Sequence, residues 1–213
     1  MIIDCISDLH GRYPELPGGD LLIVAGDLTK RDTPEEYSDF AKWISSKDYK
    51  KIIIIAGNHD NCLDDYEHNY FFDYDNIDYL QDNKTEFERL KIWGSPWTLR
   101  FDGMNPKCMA FTKHSDDSIA KKWDLIPDDI DILITHMPPY GIFDKVVKDG
   151  HIGSKSLRNN VISDRFPKLK LHVFGHIHEH GGKIVDFITT KFVNASHVNE
   201  IYDPVHPPVR IIL

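Results

Sequence analysis

MIIDCISDLH, residues 1–10, joins a short apolar run to two side chains of metal-binding type, Asp8 and His10. The run is rich in Ile, which favours a buried β-strand over a helix. Asp8 and His10 flank Leu9, so in extended backbone both would point to one side while Leu9 faces the core. The stretch therefore predicts a strand that ends in two potential ligands.

The same pattern recurs four more times along the chain. Apolar runs at residues 21–25, 52–56, 130–135 and 171–174 are each followed by Asp, Asn or His. The side chains that follow them are Asp27, Asn58, His59, His136, His176 and His178. In layered α/β proteins, loops at the carboxyl ends of strands converge on one crevice. We therefore expect all five blocks to contribute to one pocket.

The donor types in these blocks indicate which ions the pocket would bind. Carboxylate, amide and imidazole donors suit divalent Mn, Fe, Co, Ni or Zn. The blocks contain no cysteine, which argues against a thiolate-bound structural zinc. His176 and His178 flank Ile177 as Asp8 and His10 flank Leu9, so each pair can bind from one side. The mixture is typical of a catalytic metal centre.

Length and composition predict one globular domain over residues 1–213, with 41% hydrophobic and 28% charged residues. The net charge of -9 disfavours a nucleic-acid-binding face and a nuclease activity, because phosphate backbones are held mainly by Lys and Arg. No apolar run approaches the roughly 20 residues of a membrane span, and the first residues lack the features of a signal peptide. The three cysteines are odd in number, which favours a reducing compartment. We therefore expect a cytoplasmic protein with no membrane contact.

Several further elements can be predicted between the blocks. Thr33, Pro34 and Glu36 form a helix start of the capping-box type, and the helix that follows should cover the sheet between the second and third strands. Residues 115–123 and 154–166 are predicted helices, the second with Phe166 facing inward. Residues 87–92 are predicted to form a strand leading into a loop, and residues 182–187, 192–195 and 209–213 to form further strands. The acidic and aromatic stretch 64–82, which includes Tyr66, is expected to be a partly ordered connection.

The blocks, read in order, resemble the motifs of the calcineurin-like binuclear metallophosphoesterases. The matching motifs are Ser7-Asp8-Leu9-His10, Gly26-Asp27, Gly57-Asn58-His59-Asp60, Thr135-His136 and Gly175-His176-Ile177-His178. Residues 94–97, 135–139, 171–178 and 193–196 are similar to segments of the small branch that includes the metallophosphoesterase domain-containing proteins. Met137 departs from a Gly expected in this branch, and Asp60 from a Glu common there. These departures leave the metal set intact and bear on the pocket shape, and hence on the substrate preference.

The resemblance implies a four-layer α-β-β-α sandwich of two mixed sheets flanked by helices. It also implies two divalent ions, with Mn favoured, bound by two sets of four ligands that share Asp27. The sets are Asp8, His10, Asp27 and His178 for one ion, and Asp27, Asn58, His136 and His176 for the other. A hydroxide between the ions would attack phosphorus. His59 would protonate the leaving oxygen or stabilise its charge, and Asp60 would orient the imidazole of His59.

The activity implied is that of a metal-dependent phosphodiesterase acting on a small or cyclic-nucleotide-like ester. One alternative is a phosphomonoesterase, including a protein Ser/Thr phosphatase, but no Arg pair stands beside the ligand blocks to bind a phosphate dianion. A second alternative is a non-catalytic metal-binding scaffold of the same fold. The presence of every ligand and of His59 counts against that scaffold.

Overall fold

The computed structural model describes residues 1–65, 70–100, 103, 105–147 and 149–213. The strands are β1 (Ile2–Ile6), β2 (Gly19–Ala25), β3 (Tyr49–Ile55), β4 (Ile77–Tyr79), β5 (Asn83–Phe87), β6 (Leu90–Ser95), β7 (Thr98–Leu99), β8 (Thr112–Lys113), β9 (Ile132–Thr135), β10 (Lys145–Val146), β11 (Gly150–His151), β12 (Leu171–Phe174), β13 (Lys183–Phe187), β14 (Thr190–Asn194) and β15 (Val209–Ile212). The helices are α1 (Pro34–Ser45), α2 (Asn61–Asp65), α3 (Asp116–Trp123) and α4 (Lys155–Val161).

Two large mixed sheets form the centre of the fold. The first has the strand order β15-β1-β2-β3-β4, in which β1 to β4 run parallel and β15 is antiparallel to β1. The second has the order β13-β14-β12-β9-β6-β5, with four parallel strands between two antiparallel edge strands. Because the central strands of each sheet are parallel, the loops after them gather at one edge of that sheet.

Three hydrophobic clusters separate the layers of the fold. One lies between the sheets, where Ile23 and Ile53 of the first sheet share a cluster with Ile134 and Val173 of the second. A second joins the outer face of the first sheet to α1, and a third joins the outer face of the second sheet to α3 and α4. The predicted four-layer α/β sandwich is confirmed. Among the described residues, no helix combines the length and apolar character needed to cross a membrane.

Helix α1 covers the first sheet as predicted, with Tyr37, Phe40, Ala41 and Ile44 buried. Thr33 caps the helix by accepting the Glu36 amide at 3.4 Å. The predicted reciprocal half of the capping box is wrong, because the Glu36 carboxylate instead accepts the backbone amide and Nε of Arg31, at 2.6 and 2.9 Å. The Glu36 carboxylate binds Arg31 rather than the Thr33 amide because the guanidinium adds an ion pair to the backbone hydrogen bond.

The region predicted as one strand over residues 87–92 is a hairpin. Strands β5 and β6 pair antiparallel with Phe87 opposite Leu90. Glu88 and Arg89 form the connection, with φ of 45° and 71°. A two-residue turn with positive φ at both positions matches the right-handed twist of hairpin strands. Neither turn residue is Gly or Asn, so the usual sequence signal for this turn is missing.

Helix α4 is shorter than predicted, ending at Val161 rather than near Phe166. Ser163 Oγ donates to the carbonyl of Asn160 at 2.9 Å, and it also accepts the amide of Arg165 at 3.2 Å. These bonds use a carbonyl that a continuing helix would need. Phe166 is nevertheless buried, so its inward position was predicted correctly although it lies outside the helix.

The acidic and aromatic stretch 64–82 contains more regular structure than expected. It holds the end of α2 and the strand β4, which pairs with β3. Phe71 and Phe72 are buried in the cluster beneath α1, where Phe72 contacts Phe40 edge-on. Tyr66 lies outside the described residues. The two phenylalanines therefore serve packing.

Candidate metal centre

The structure brings the predicted ligand blocks together at the strand ends. Donor atoms of six side chains form three overlapping groups, within each of which they lie within 4.8 Å of one another. The six are Asp8, His10, Asp27, His59, His136 and His178. Asn58 joins them through its Oδ1, 3.2 Å from His136 Nε2, and the ring of His176 lies 5.2 Å from that of His136.

The backbone at the ligand residues is not extended. The prediction that strand alternation directs their side chains to one side is therefore wrong. Asp8, His10, Asp27 and His176 have φ of 50°, 43°, 56° and 70°. Left-handed backbone at non-glycine residues is uncommon and costs energy, and it concentrates at functional sites. Leu9 is still fully buried between its polar neighbours, as predicted. Tight left-handed turns, rather than strand alternation, therefore direct these side chains.

Asp27 lies at the centre of the cluster. Its Oδ1 accepts the His59 amide at 2.9 Å. Its Oδ2 faces three imidazole nitrogens: Nε2 of His136 at 3.3 Å, of His10 at 3.6 Å and of His59 at 4.0 Å. Although burial opposes ionisation, the neighbouring histidines hold the pKa of Asp27 well below its usual value. One carboxylate oxygen is thus surrounded by nitrogen donors.

His136 shows why this space needs a positive charge. Its Nδ1 lies 2.7 Å from the Ala25 carbonyl, which can only accept, so Nδ1 carries a proton. In the neutral ring, Nε2 would then present a lone pair to the oxygens of Asp27 and Asn58. Burial lowers the pKa of His136, but the charge of Asp27 more than offsets this and raises it to about 9. A proton or a metal ion must therefore occupy the space between these atoms.

Asp8 is held by residues from the far end of the chain. Its carboxylate accepts the His176 amide at 3.0 and 2.9 Å and the Ser196 hydroxyl at 2.7 Å. His178 Nε2 lies 3.3 Å from Asp8 Oδ1, while its Nδ1 lies 3.2 Å from the Asn199 carbonyl. Metal-binding histidines commonly donate their other ring nitrogen to a carbonyl in this way. The Ser196 and Asn199 contacts were not predicted from the sequence.

Asp60 does not contact the imidazole of His59 as expected. Its Oδ1 accepts the Leu28 amide at 3.1 Å and the Tyr37 hydroxyl at 2.9 Å. Its Oδ2 accepts the amides of Asp27 at 2.9 Å and Gly57 at 2.7 Å. Burial and the nearby Asp27 charge raise the pKa of Asp60 to about 7. Four donors fill the carboxylate, so the predicted orienting bond to His59 is wrong, and Asp60 instead ties together two ligand loops.

His59 has a different neighbour. Its Nδ1 lies 3.4 Å from the Sγ of Cys108, a residue for which no role in the site was predicted. Burial raises the pKa of the Cys108 thiol to about 11. The ring of Tyr202 lies edge-on to the rings of His10 and His178, at 4.7 and 5.4 Å, and was also not predicted. Cys108 lies in a short 3-10 turn and Tyr202 in a loop, so no periodic pattern in the sequence marks either residue.

A cleft of about 1020 Å³ opens onto these residues, enough for a ligand much larger than phosphate. His59, Met137, His176 and Tyr202 line it, so Met137 does shape the pocket. Besides Asp27 at its base, the cleft is lined by three more carboxylate residues, Asp149, Glu179 and Glu200. Among the described lining residues, Arg100 is the one Arg or Lys. The outer cleft is therefore acidic.

The donor set fits divalent metal ions. His10 Nε2 is buried and has no hydrogen-bond partner in the described parts of the chain. Burial lowers the pKa of His10 to about 4, so the ring is neutral near neutral pH. A neutral imidazole nitrogen without a partner, facing a carboxylate oxygen, is suited to a metal ligand. The His10 nitrogen, and the space between His136 Nε2 and the oxygens of Asp27 and Asn58, allow this cluster to hold metal.

Carboxylate, amide and imidazole donors gathered at the strand ends of an α/β sandwich define a metal-binding α/β protein. The sequence model of the calcineurin-like phosphoesterases matches residues 1–180, and the chain belongs to that family. The predicted resemblance is therefore confirmed. Members of this family bind divalent metals.

Individual relatives extend this comparison. The chain is 38% identical to metallophosphoesterase domain-containing protein 1 of Homo sapiens, over 98% of the chain and 70% of that protein. It is 25% identical to a 3',5'-cyclic-nucleotide phosphodiesterase of Nostoc sp., over 80% of the chain and 59% of that protein. The crystal structure of TT1561 of Thermus thermophilus shares the fold, with a TM-score of 0.62, 14% identity and coverage of 91% of this chain and 88% of that one.

Proposed function

We propose that residues 1–213 form one binuclear metal-dependent phosphodiesterase domain acting on small or cyclic-nucleotide-like phosphodiesters. One observation carries the proposal: three imidazole nitrogens surround Asp27 Oδ2, at 3.3, 3.6 and 4.0 Å. A carboxylate in this position can bridge two ions whose other ligands lie on either side of it. The name of the Nostoc relative, a 3',5'-cyclic-nucleotide phosphodiesterase, is consistent with a diester substrate.

The proposed ligands divide into two sets that share Asp27. Asp8, His10, Asp27 and His178 would hold one ion, and Asp27, Asn58, His136 and His176 would hold the other. Two divalent ions held there would supply Lewis acidity and would neutralise phosphate oxygens. Mn²⁺ is the ion that the family resemblance favours, and the carboxylate and amide oxygens of the set suit it.

His59 would donate a proton to the leaving oxygen. Its Nε2 lies 4.0 Å from Asp27 Oδ2 and its side chain lines the cleft, so it can reach an ester bound between the ligands. Asp60 would act through the loops of Asp27 and Gly57 rather than on the substrate. Its four hydrogen bonds hold those loops in their left-handed and close-packed conformations.

The charge of the cleft favours a diester over a monoester. A phosphate monoester is a dianion near neutral pH, whereas a diester carries one negative charge. The second negative charge of a monoester would be repelled by the carboxylates of Asp149, Glu179 and Glu200. Among the described lining residues, Arg100 is the one Arg or Lys. The small phosphoester would be the partner. The cytoplasm would be the compartment, in agreement with the odd number of cysteines.

The test compares hydrolysis of bis-p-nitrophenyl phosphate and p-nitrophenyl phosphate. Protein stripped with a chelator is assayed before and after Mn²⁺ is restored, and its metal content is measured by mass spectrometry. His59→Ala is compared with His114→Ala, a matched control at an exposed histidine outside the cleft. We expect metal-dependent cleavage that favours the diester, a large loss in His59→Ala and none in His114→Ala.

Other outcomes distinguish the alternatives. Preference for the monoester, with the same metal dependence, would replace the phosphodiesterase by a phosphomonoesterase. Binding of metal without cleavage of either ester, across the panel of Mn²⁺, Fe²⁺, Co²⁺, Ni²⁺ and Zn²⁺, would support the non-catalytic scaffold.

A further inference from the structure

We propose that Cys108 is the positioning residue for His59, a role that the sequence suggests for Asp60. The inference rests on the proposed function, in which His59 donates a proton to the leaving group. The thiol Sγ lies 3.4 Å from His59 Nδ1, while Nε2 of the same ring faces Asp27 at the base of the cleft. The thiol thus holds the side of the ring that faces away from the reacting atoms.

A thiol can serve this nitrogen in both states of the ring. It is a weak donor and a weak acceptor, so S–H can donate to a bare Nδ1, and sulfur can accept from Nδ1–H. On its other side, the His59 ring lies against His10, with centroids 4.7 Å apart and planes at 82°. His59 is therefore confined between the thiol and a neighbouring imidazole, and its Nε2 keeps one direction.

The backbone of Cys108 holds a second residue of the site. Its carbonyl accepts the side-chain amide of Asn58 at 3.1 Å, which turns Asn58 Oδ1 towards His136, 3.2 Å from Nε2. Cys108 therefore contacts two consecutive residues, Asn58 through its carbonyl and His59 through its thiol. The two contacts can be separated experimentally, because a substitution at this position removes the thiol and keeps the carbonyl.

The position of Cys108 is itself fixed by local bonds. It ends a 3-10 turn, Pro106–Cys108, in which Asn105 Oδ1 accepts the Lys107 amide at 3.0 Å. The Asn105 carbonyl accepts the Cys108 amide at 2.9 Å. Asn61 Nδ2 donates to the Lys107 carbonyl at 2.7 Å and ties the turn to α2. A turn held in this way can place a small side chain accurately against His59.

The test uses Cys108→Val, which has a similar volume without hydrogen-bonding capacity, and Cys108→Ser, which retains it. Each variant is assayed with bis-p-nitrophenyl phosphate, which has a good leaving group, and with diphenyl phosphate, which has a poorer one. A poorer leaving group depends more on proton donation. We expect Cys108→Val to lower kcat for diphenyl phosphate about tenfold, with a much smaller loss for bis-p-nitrophenyl phosphate. Cys108→Ser should recover most of this loss, and the metal content of both variants should stay unchanged.

A double-mutant cycle separates positioning from packing. In a His59→Ala background, Cys108→Val should cause no further loss of kcat, because the residue through which it acts has been removed. Equal losses for both substrates, additive losses in the double variant, or no loss in Cys108→Val would each overturn the proposal. If Cys108→Val does not fold, Cys108→Ala takes its place in the same cycle.

One readout does not depend on activity. The ring ¹⁵N chemical shifts of His59 report which nitrogen carries a hydrogen bond, and Cys108→Val should move the Nδ1 signal while leaving that of His136 unchanged. If the wild-type protein cleaves no ester, the proposed function fails and this spectrum alone decides the contact. An Nδ1 signal that does not move would then refute the positioning role.

Discussion

The backbone amide of His176 donates to both carboxylate oxygens of Asp8, at 3.0 and 2.9 Å, across a sequence separation of 168 residues. This bond joins the end of β1 in the first sheet to the end of β12 in the second. The ligand pocket is thus fixed by a contact between the two sheets. Any change that moves Asp8 should disturb both the fold and the metal centre.

Gly175→Ala tests this contact. A Cβ at this position would meet Asp8 Oδ2 and Ser7 Oγ, each at 2.1 Å, so Asp8 must shift. We expect a loss of about 2 kcal/mol in the free energy of unfolding and a weaker affinity for metal. The control is Gly182→Ala, where the nearest atoms lie 3.8 Å away and only the positive φ is strained, at a cost of about 1 kcal/mol. Equal metal affinity in the two variants would contradict the argument.

Asp27→Asn and His178→Ala should differ in the number of ions they lose. Asp27 belongs to both proposed ligand sets, whereas His178 belongs to one. Wild-type protein should bind about two ions per chain. Asp27→Asn should weaken both, and His178→Ala should release one while the other remains. Isothermal titration of chelated protein with Mn²⁺ measures this, and retention of both ions by Asp27→Asn would exclude Asp27 as the bridge.

Tyr37→Phe tests the structural role of Asp60. The Tyr37 hydroxyl shares its single proton between Asp60 Oδ1 at 2.9 Å and Asp32 Oδ1 at 2.7 Å, so its loss should lower the free energy of unfolding by about 1 kcal/mol. Asp60→Ala should cost about 3 kcal/mol or more, because it leaves buried backbone amides without acceptors. Chemical denaturation measures both. Since Tyr37 does not reach the cleft, a fall in kcat for Tyr37→Phe as large as that of His59→Ala would show that Asp60 takes part in the chemistry.

His172 should make the fold sensitive to acid. It is fully buried, and its Nε2 lies 2.8 Å from Thr135 Oγ1, which itself donates to the Met137 carbonyl. Burial lowers the pKa of His172 to about 3. The unfolded chain takes up a proton near pH 6.5, but the folded chain does not do so until about pH 3. Stability from this residue is therefore complete above pH 6.5 and falls as the pH drops towards 3.

His172→Phe removes this sensitivity. At pH 5 the protonation of the unfolded chain should cost the wild-type protein about 2 kcal/mol that the variant does not lose. Urea denaturation at pH 7 and pH 5 measures the difference between the two proteins. Parallel changes in both proteins would mean that His172 does not contribute to the acid sensitivity.

The acidic rim of the cleft should control the preference for diesters. Glu179→Gln with Glu200→Gln removes two negative charges that line the cleft. The KM for p-nitrophenyl phosphate should fall about threefold, with a smaller change for bis-p-nitrophenyl phosphate, and added salt should reduce both effects. Asp73→Asn, at an exposed residue outside the cleft, is the matched control. The same fall in KM for both esters would contradict selection by charge.

Much of the sandwich could be predicted because its buried strands are short apolar runs. The run at residues 171–174 corresponds to β12 without a shift, and the ligand blocks follow the runs in order. The hairpin at Glu88 and Arg89 could not be predicted, since its positive φ values come from pairing between β5 and β6 rather than from turn residues.

The ligand types of the site could also be predicted, but their supporting contacts could not. Asp60 stands beside His59 in the sequence, which made an orienting bond between them plausible. The fold turns the carboxylate towards Tyr37, which is 23 residues away, and towards the Asp27 loop. Cys108 reaches His59 across 49 residues in the same way. Such contacts depend on how loops pack in three dimensions. The spacing of residues along a single sequence does not reveal that packing.

The pairing of β1 with β15 has a consequence for the order of folding. On the ribosome, β1 and Asp8 emerge well before Ser196 and β15, since Ser196 lies 188 residues after Asp8. Contacts of such high contact order form slowly, because a long loop must close before they yield any stabilisation. The nascent chain therefore carries Asp8 without its hydrogen-bond donors until His176 and Ser196 have emerged, and the proposed set of metal ligands is complete only once His178 has been added.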